Sequence, residues 1–196
     1  MNIPIVYEDD FLLVVDKPTG LLTVPTPKNE KRTLTSILNL YPCHRLDRDT
    51  SGLIIYAKTK PIQHKIIEEF RQRLVKKTYI AFVQGIPGDQ QGIIKNRIDG
   101  MFAQTCYKVI EKRRDFAIVE VTPLTGRTNQ IRIHFKSIGH PILGESKYAF
   151  RRDFKIKAKR LCLHAAKLEF RHPVSGDILK LECDLPEGLQ EFLHNH

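Results

Sequence analysis

Residues 44–85 read HRLDRDTSGLIIYAKTKPIQHKIIEEFRQRLVKKTYIAFVQG, a stretch that predicts a loop, a strand, a helix and a second strand in succession. Within 60–77, Pro61 stands where a first helical turn accepts proline, and apolar residues recur at helical spacing. That apolar stripe comprises Ile62, Ile66, Ile67 and Phe70. The flanking runs at 53–59 and 78–85 are short and apolar, as in strands. Helix and strand signals alternate here, which favours a fold that contains both.

Outward from this stretch, strand signals outnumber helix signals. The sequence predicts further strands over 3–9, 11–18, 105–112, 116–124, 161–170 and 178–186, and helices over 33–41, 127–139 and 187–196. The segment 86–104 reads as a loop or an irregular hairpin. Most predicted strands are joined by short turns, and no linker or repeat interrupts the chain. We therefore expect an α+β fold, a single domain over 1–196, with a largely antiparallel or mixed β-sheet flanked by short helices and loops.

The composition points to a polyanionic partner. The 196 residues include 32 Lys and Arg against 22 Asp and Glu, a net charge of +10, and such a balance favours nucleic acid. The longest apolar run, FLLVV at 11–15, is too short to cross a membrane, and the amino terminus lacks a signal peptide. A cytoplasmic protein is expected. The four cysteines are far apart and form no C-x-x-C pair, which favours reduced thiols over disulfides or a zinc site.

The loop HRLDRDTSGL, 44–53, carries a carboxylate that turn chemistry does not explain. Asp49 begins a turn signal, because its side chain can bond local backbone and Gly52 tolerates positive φ. Asp47 lies upstream of that turn, beside Arg45 and Arg48, where a carboxylate stays ionised. Asp47 is therefore either a structural residue that forms a salt bridge or a carboxylate that takes part in a reaction.

Absent motifs exclude several enzyme classes. The chain has no G-x-x-x-x-G-K-[ST], G-x-G-x-x-G, G-x-S-x-G or H-E-x-x-H pattern, which removes kinases and common nucleotide hydrolases. A magnesium-dependent nuclease stays open, because several acids could supply oxygen ligands. These acids are Glu8, Asp9, Asp10, Asp47 and Asp49. The arginines beside Asp47 compete with a cation, so we expect no metal.

Six segments occur in a fixed order along the chain: DKPTGLLTVP (16–25), HRLDRDTSGL (44–53), KKTYIAFVQG (76–85), AQT (103–105), LTGRTNQIRIH with GHPILGESKY (124–148) and LCLHAAKLEFRHP (161–173). In this order they resemble the RluA-type pseudouridine synthase family. The resemblance implies an isomerase that converts uridine in RNA to pseudouridine without a cofactor. It also implies that Asp47 is the catalytic carboxylate and that Tyr79 and Arg132 share its cleft across the sheet.

Those three residue types make chemical sense together. A guanidinium at Arg132 could hold Asp47 in a bidentate fork and keep it ionised. Tyr79 offers an aromatic face for a base and a hydroxyl for proton transfer. The carboxylate could act as nucleophile or as base, and the sequence does not choose. A stacked uridine must be flipped out, with Arg45 a candidate to fill the space, whereas His44 is expected to hold the loop.

The expected partner is RNA, ribosomal first and transfer RNA second, bound by a monomer without an obligatory protein partner. Two basic segments fit phosphates: 151–160 has six Lys or Arg and 71–77 has four. The predicted RNA-binding residues are Arg45, Arg48, Lys76, Lys77, Arg127, Arg151, Arg152, Lys155 and Lys157. The chain departs from the family pattern in two places: Asn129 stands where the family often has histidine, and the segment 86–104 is shorter than the family's. No amino-terminal S4-type domain is expected. A non-catalytic RNA-binding module that keeps the fold is the first alternative, and the magnesium-dependent nuclease is the second.

Overall fold

A computed structural model describes residues 3–27 and 30–196. Within these residues the chain forms, in order, β1 (Ile5–Glu8), β2 (Leu12–Lys17), α1 (Leu34–Leu38), β3 (Tyr41–Pro42), β4 (Ser51–Ala57), α2 (Lys60–Arg71), β5 (Lys76–Gln84), β6 (Gln91–Ile98), β7 (Met101–Lys112), β8 (Phe116–Pro123), α3 (Gln130–Ser137), a 3₁₀ turn (Arg151–Asp153), β9 (Leu163–Arg171), β10 (Ile178–Glu182) and α4 (Glu187–His194). Strands predominate and the helices are short, so the predicted α+β class is confirmed.

The contacts divide the chain into two compact units. Unit 1 holds the described residues up to 77 together with 165–184, and unit 2 holds 78–164 and 185–196. In unit 1 the strands lie in the order β1-β2-β4-β9, with β3 beside β4 and β10 beside β9. The pairs β1–β2, β2–β4, β3–β4 and β9–β10 are antiparallel.

Helix α2 covers one face of the unit 1 core. It begins after Thr59 with Pro61 in its first turn, where a missing N–H has no helical partner to lose. Ile62 and Ile66 are buried in a cluster with β2, β4 and β9, and Phe70 packs against its margin. All seven residues of β4 are buried. This strand carries the chain directly out of the loop that contains Asp47, so the core fixes one end of that loop.

Unit 2 contains four strands in the order β5-β8-β7-β6, in which β6, β7 and β8 are sequential neighbours and β5 pairs with β8. Of the two alternatives predicted for 86–104, a loop or an irregular hairpin, the structure shows a hairpin, and it is regular. Strands β6 and β7 pair in unbroken register from Gln91↔Lys108 to Ile98↔Met101. Asp99 (φ 49°) and Gly100 (φ 76°) form the two-residue connection, and positive φ at both positions gives the hairpin turn that matches strand twist. The Asp-Gly pair was the sequence signal for it.

The interior of unit 2 includes a group of three packed phenylalanines. Phe82 of β5, Phe116 of β8 and Phe192 of α4 have ring centroids 5.6–6.1 Å apart, within the range of favourable aromatic pairs. Helix α3 starts at Gln130, three residues later than predicted, because Asn129 is left-handed with φ 53°. Among the described residues, no helix has the length and apolar character to cross a membrane.

Candidate active site

The loop that carries Asp47 is fixed through its main chain. In unit 1 the Thr23 hydroxyl donates to the Leu46 carbonyl at 3.0 Å and accepts from the Leu46 N–H at 3.2 Å. The Thr50 N–H donates to the Asp47 carbonyl at 3.2 Å and closes the turn. Leu46 is buried, whereas the Asp47 side chain is half-buried. Residues on both sides of the carboxylate are therefore anchored.

The segment 16–25 provides the other anchors of this loop. The buried ammonium of Lys17 donates to the Arg48 carbonyl at 3.1 Å and to two carbonyls of its own turn at 2.9 and 2.7 Å. The Thr19 hydroxyl donates to the Asp49 carbonyl at 2.8 Å, and the Gly20 N–H donates to that of Arg48 at 2.9 Å. Hydrogen bonds to a charged donor are among the stronger ones. Two segments of the family resemblance thus meet in one hydrogen-bonded structure.

His44 begins this loop and serves as a structural acceptor. Its Nε2 accepts from the Ile55 N–H at 3.0 Å, and its ring lies 4.8 Å from that of Phe70. Burial and the nearby charge of Lys77 lower the pKa of His44 to about 3, so the imidazole is neutral at physiological pH. The expectation that His44 holds the loop agrees with these contacts.

The predicted RNA-binding residues of unit 1 differ in their exposure. Arg45, Arg48 and Lys76 are exposed, and the Arg48 Nε also donates to the Gly20 carbonyl at 3.2 Å. Lys77 is half-buried, its Nζ lies 5.6 Å from the centroid of a phenylalanine ring, and burial lowers its pKa. Packing of this kind reduces the availability of the Lys77 charge to a phosphate.

Two of the acids considered as magnesium ligands have other partners. Glu8 forms an ion pair with Lys58 at 2.8 Å. The Asp9 carboxylate accepts from the Tyr7 hydroxyl at 2.6 Å and lies 2.9 Å from His172 Nε2, and it also accepts two backbone N–H groups. Burial raises the pKa of Asp9, but these hydrogen bonds lower it overall. Both contacts are typical of structural acids, which weakens the nuclease alternative.

Arg132 lies in unit 2, on α3, and forms a bidentate pair with Glu145. Its Nε donates to Glu145 Oε2 at 2.6 Å and its Nη2 to Oε1 at 2.8 Å. Both side chains are buried. Burial raises the pKa of Glu145, and the hydrogen bonds from Arg132 and from two backbone N–H groups lower it overall. The sequence did not single out Glu145 as the partner of Arg132; the pairing of Arg132 with Asp47 stays a prediction.

Asn129 completes the setting of Arg132. Its Oδ1 accepts from Arg132 Nη1 at 2.9 Å, and its Nδ2 donates to the Tyr148 hydroxyl at 2.8 Å. The Arg132 guanidinium carbon lies 5.4 Å from the centroid of the Tyr148 ring, a distance at which cation–π attraction operates. The residue that departs from the family pattern therefore orients the guanidinium directly.

Tyr79 and Arg127 also belong to unit 2. Tyr79 is buried on β5, opposite Val121 of β8. Arg127 is half-buried, and its Nε donates to the Phe102 carbonyl at 3.2 Å. The buried amide of Gln130, a residue that the sequence analysis also missed, accepts from the Arg127 N–H at 3.0 Å. Gln130 thereby fixes the loop that enters α3.

The basic segment 151–160 is exposed at each predicted phosphate contact. Arg151, Arg152, Lys155 and Lys157 are all exposed. Lys155 Nζ lies 3.6 Å from the half-buried Asp115. Because the lysine is exposed, this ion pair contributes little and competes weakly with phosphate. These cations are therefore accessible to the phosphates of a polyanion such as RNA.

Residues 11–137 match the family model described as RNA pseudouridylate synthase. The chain belongs to this family. It is 38% identical over 202 residues to "Dual-specificity RNA pseudouridine synthase RluA" of Yersinia pestis, covering 92% of this chain and 98% of that one. It is 36% identical to "Ribosomal large subunit pseudouridine synthase D" of Nitrosomonas europaea, covering 96% of this chain and 64% of that one.

A solved structure also resembles this RNA pseudouridylate synthase. "Human RNA Pseudouridylate Synthase Domain Containing 4" superposes with a TM-score of 0.84 at 26% identity, covering 97% of this chain and 92% of the human one. The predicted enzyme class, an RNA pseudouridine synthase and hence an isomerase, is confirmed. Asp47, Tyr79 and Arg132 lie within the matched residues 11–137, and the basic segment 151–160 lies beyond them.

Proposed function

We propose that this protein isomerises specific uridines in structured RNA to pseudouridine, with Asp47 as the catalytic carboxylate and without a cofactor. The observation that supports this most directly is the loop at 44–52. Inside the residues that match the family, this loop holds a half-buried carboxylate between carbonyls anchored by Lys17, Thr19 and Thr23. A group held in this way is preorganised for reaction.

The reaction balances without another reagent. The bond between uracil N1 and ribose C1′ breaks, the base turns, and C5 bonds to C1′. The C5 proton is then lost and N1 gains one, so the product has the same composition as the substrate. Asp47 acts either as the nucleophile that holds C1′ or as the base that assists the transfer. Tyr79 contributes an aromatic face and a hydroxyl, and Arg132 a fixed positive charge.

The proposed substrates are ribosomal RNA first and transfer RNA second. The names of the two bacterial relatives describe a dual-specificity RNA enzyme and a large-subunit ribosomal one, and the net charge of +10 suits a polyanion. We also propose that a monomer acts in the cytoplasm without an obligatory partner. Comparison of pseudouridine maps from cells with and without the gene would identify the modified uridine.

The test of the mechanism compares two neighbouring acids. Asp47→Asn removes the charge at nearly constant shape, so pseudouridine formation should fall by at least about 10⁴-fold while RNA affinity persists. Asp49→Asn is the matched control, because its carbonyl bond to Thr19 is unaffected, and its activity should stay within about threefold of wild type. A purified Asp47→Asn protein that still converts uridine, with contaminating wild-type enzyme excluded, would overturn the role of Asp47. A wild-type protein that binds RNA and forms no pseudouridine would instead favour the alternative of an RNA-binding module.

A further inference from the structure

Phe150 is an apolar side chain exposed beside the basic segment 151–160. It is 66% exposed, the largest fraction among the large apolar side chains of residues 3–27 and 30–196. It immediately precedes the 3₁₀ turn Arg151–Asp153. Single exposed apolar residues are ordinary on protein surfaces. Exposure alone does not indicate a binding role for Phe150; the hydrogen bonds of its backbone and the charges around its ring do.

The backbone beneath the Phe150 ring is held rigidly. The Phe150 N–H donates to Asp153 Oδ2 at 2.8 Å, and the Asp153 N–H donates to the Phe150 carbonyl at 2.8 Å. Lys136, on α3, donates from its Nζ to the same Asp153 oxygen at 2.6 Å. This exposed ring is therefore presented from a closed turn that is tied to a helix. A binding event at a fixed ring requires less ordering than one at a mobile loop.

The surroundings of the Phe150 ring are positively charged. The guanidinium carbon of Arg152 lies 5.2 Å from the ring centroid, within cation–π range. Arg151, Lys155 and Lys157 are exposed in the same segment. An aromatic face for a base, interleaved with cations for phosphates, is the combination that proteins use for unpaired nucleic acid. The ring and the cations therefore complement the two halves of a nucleotide.

We propose that Phe150 is a stacking platform for an unpaired base of the RNA substrate, with Arg152 and the neighbouring cations on the adjacent phosphates. The proposal deepens the proposed function and rests on it, because it takes the partner to be RNA. It adds a base contact outside the residues 11–137 that the family model matches. An RNA that offers an unpaired base to this ring would gain affinity here.

The absence of tryptophan from the sequence allows a direct test. Phe150→Trp places one indole at the platform, and Ile178→Trp, on β10 and 50% exposed, is the matched control. The probe is a single-stranded oligouridylate of about 12 nucleotides. Stacking should quench the fluorescence of Phe150→Trp as the probe saturates and leave Ile178→Trp nearly unchanged. Inorganic polyphosphate, which has charge but no bases, should quench neither.

Affinity gives the second readout. Phe150→Ala should weaken oligouridylate binding by about tenfold or more, the range for removal of one base stack, and leave polyphosphate binding unchanged. Phe150→Leu keeps apolar bulk without the π face and should behave like Phe150→Ala. Wild-type affinity in Phe150→Leu, equal losses on both probes, or quenching by polyphosphate would overturn the platform. A shift of the emission maximum of Phe150→Trp with protein concentration, in the absence of RNA, would assign the ring to a protein contact instead. That result would also overturn the platform.

A separate measurement keeps the two proposals apart. Pseudouridine formation by the wild-type protein on total RNA tests the proposed function and does not depend on the indole signal. A protein that forms pseudouridine but shows no indole quenching contradicts the platform alone. A protein that quenches on oligouridylate but forms no pseudouridine contradicts the isomerase and leaves the platform in place.

Discussion

Replacement of Glu145 by glutamine should destabilise the protein far more than the loss of an ordinary ion pair. Four N–H groups converge on this carboxylate: Arg132 Nε and Nη2, and the backbone N–H of Lys147 and of Tyr148. The Arg132 side chain is 7% exposed and the Glu145 side chain 0%. Glutamine keeps one oxygen, presents an NH₂ group to at least one donor, and leaves the buried guanidinium without its counter-charge.

Removal of one partner from a buried pair costs about 3–5 kcal/mol. We therefore expect Glu145→Gln to lower the free energy of unfolding by about 3 kcal/mol or more at pH 7, measured by urea denaturation followed by circular dichroism. Glu182→Gln is the control, because Glu182 pairs with Lys167 at 3.1 Å on an exposed surface. That change should cost less than about 1 kcal/mol.

The difference between wild type and Glu145→Gln should also depend on pH. The pKa of Glu145 is lowered from 4.5 in the folded protein, so its stabilisation is fully present above pH 4.5 and is lost as the pH falls through the folded pKa. The gap between the two proteins should therefore narrow in acid. Equal losses for Glu145→Gln and Glu182→Gln at pH 7 would refute the reasoning, because they would mean that burial adds nothing to this pair.

Two further predictions concern chemistry and RNA affinity. Tyr79→Phe keeps the buried ring and removes the hydroxyl, so turnover on bound RNA should fall by roughly 10²-fold or more while binding changes little; a collapse of binding with a normal rate on bound RNA would instead make the hydroxyl an anchor. Alanine at the four predicted phosphate contacts of the basic segment should reduce the slope of log affinity against log salt by about 0.7 to 0.9 for each phosphate that the protein no longer neutralises. An unchanged slope would leave these cations as solvated surface. The four are Arg151, Arg152, Lys155 and Lys157.

The sequence predicted correctly those elements whose formation depends on residues close together in the chain. The stripe of Ile62 and Ile66 and the position of Pro61 predicted α2, which the structure ends at Arg71, because the chain beyond it turns through a left-handed Arg73. Asp99 and Gly100 held an equally local signal, two residues suited to positive φ. The three glycines and one proline of 86–104 nevertheless left a loop and an irregular hairpin both open, because the Asp-Gly turn signal was not used to choose between them.

The partners of the candidate site could not be predicted in the same way. Glu145 follows Arg132 by thirteen residues and lies in a loop without periodicity. Its burial and its four donors arise only after α3 and the segment that follows it have packed. Asp47, Tyr79 and Arg132 came from motif resemblance, which transfers the positions of residues but carries no contact geometry. The neutral state of His44 likewise depends on burial that no pattern records.

The Asp47 loop is anchored through its carbonyl oxygens, so the position of the loop does not depend on which side chains it carries. Lys17, Thr19 and Thr23 bind the main chain of residues 46–49, and every amino acid supplies the same carbonyl. Mutation can therefore exchange a side chain on this loop while the peptide path stays in place. Evolution or protein design can therefore substitute residue 47 with other functional side chains while the turn that carries it is kept.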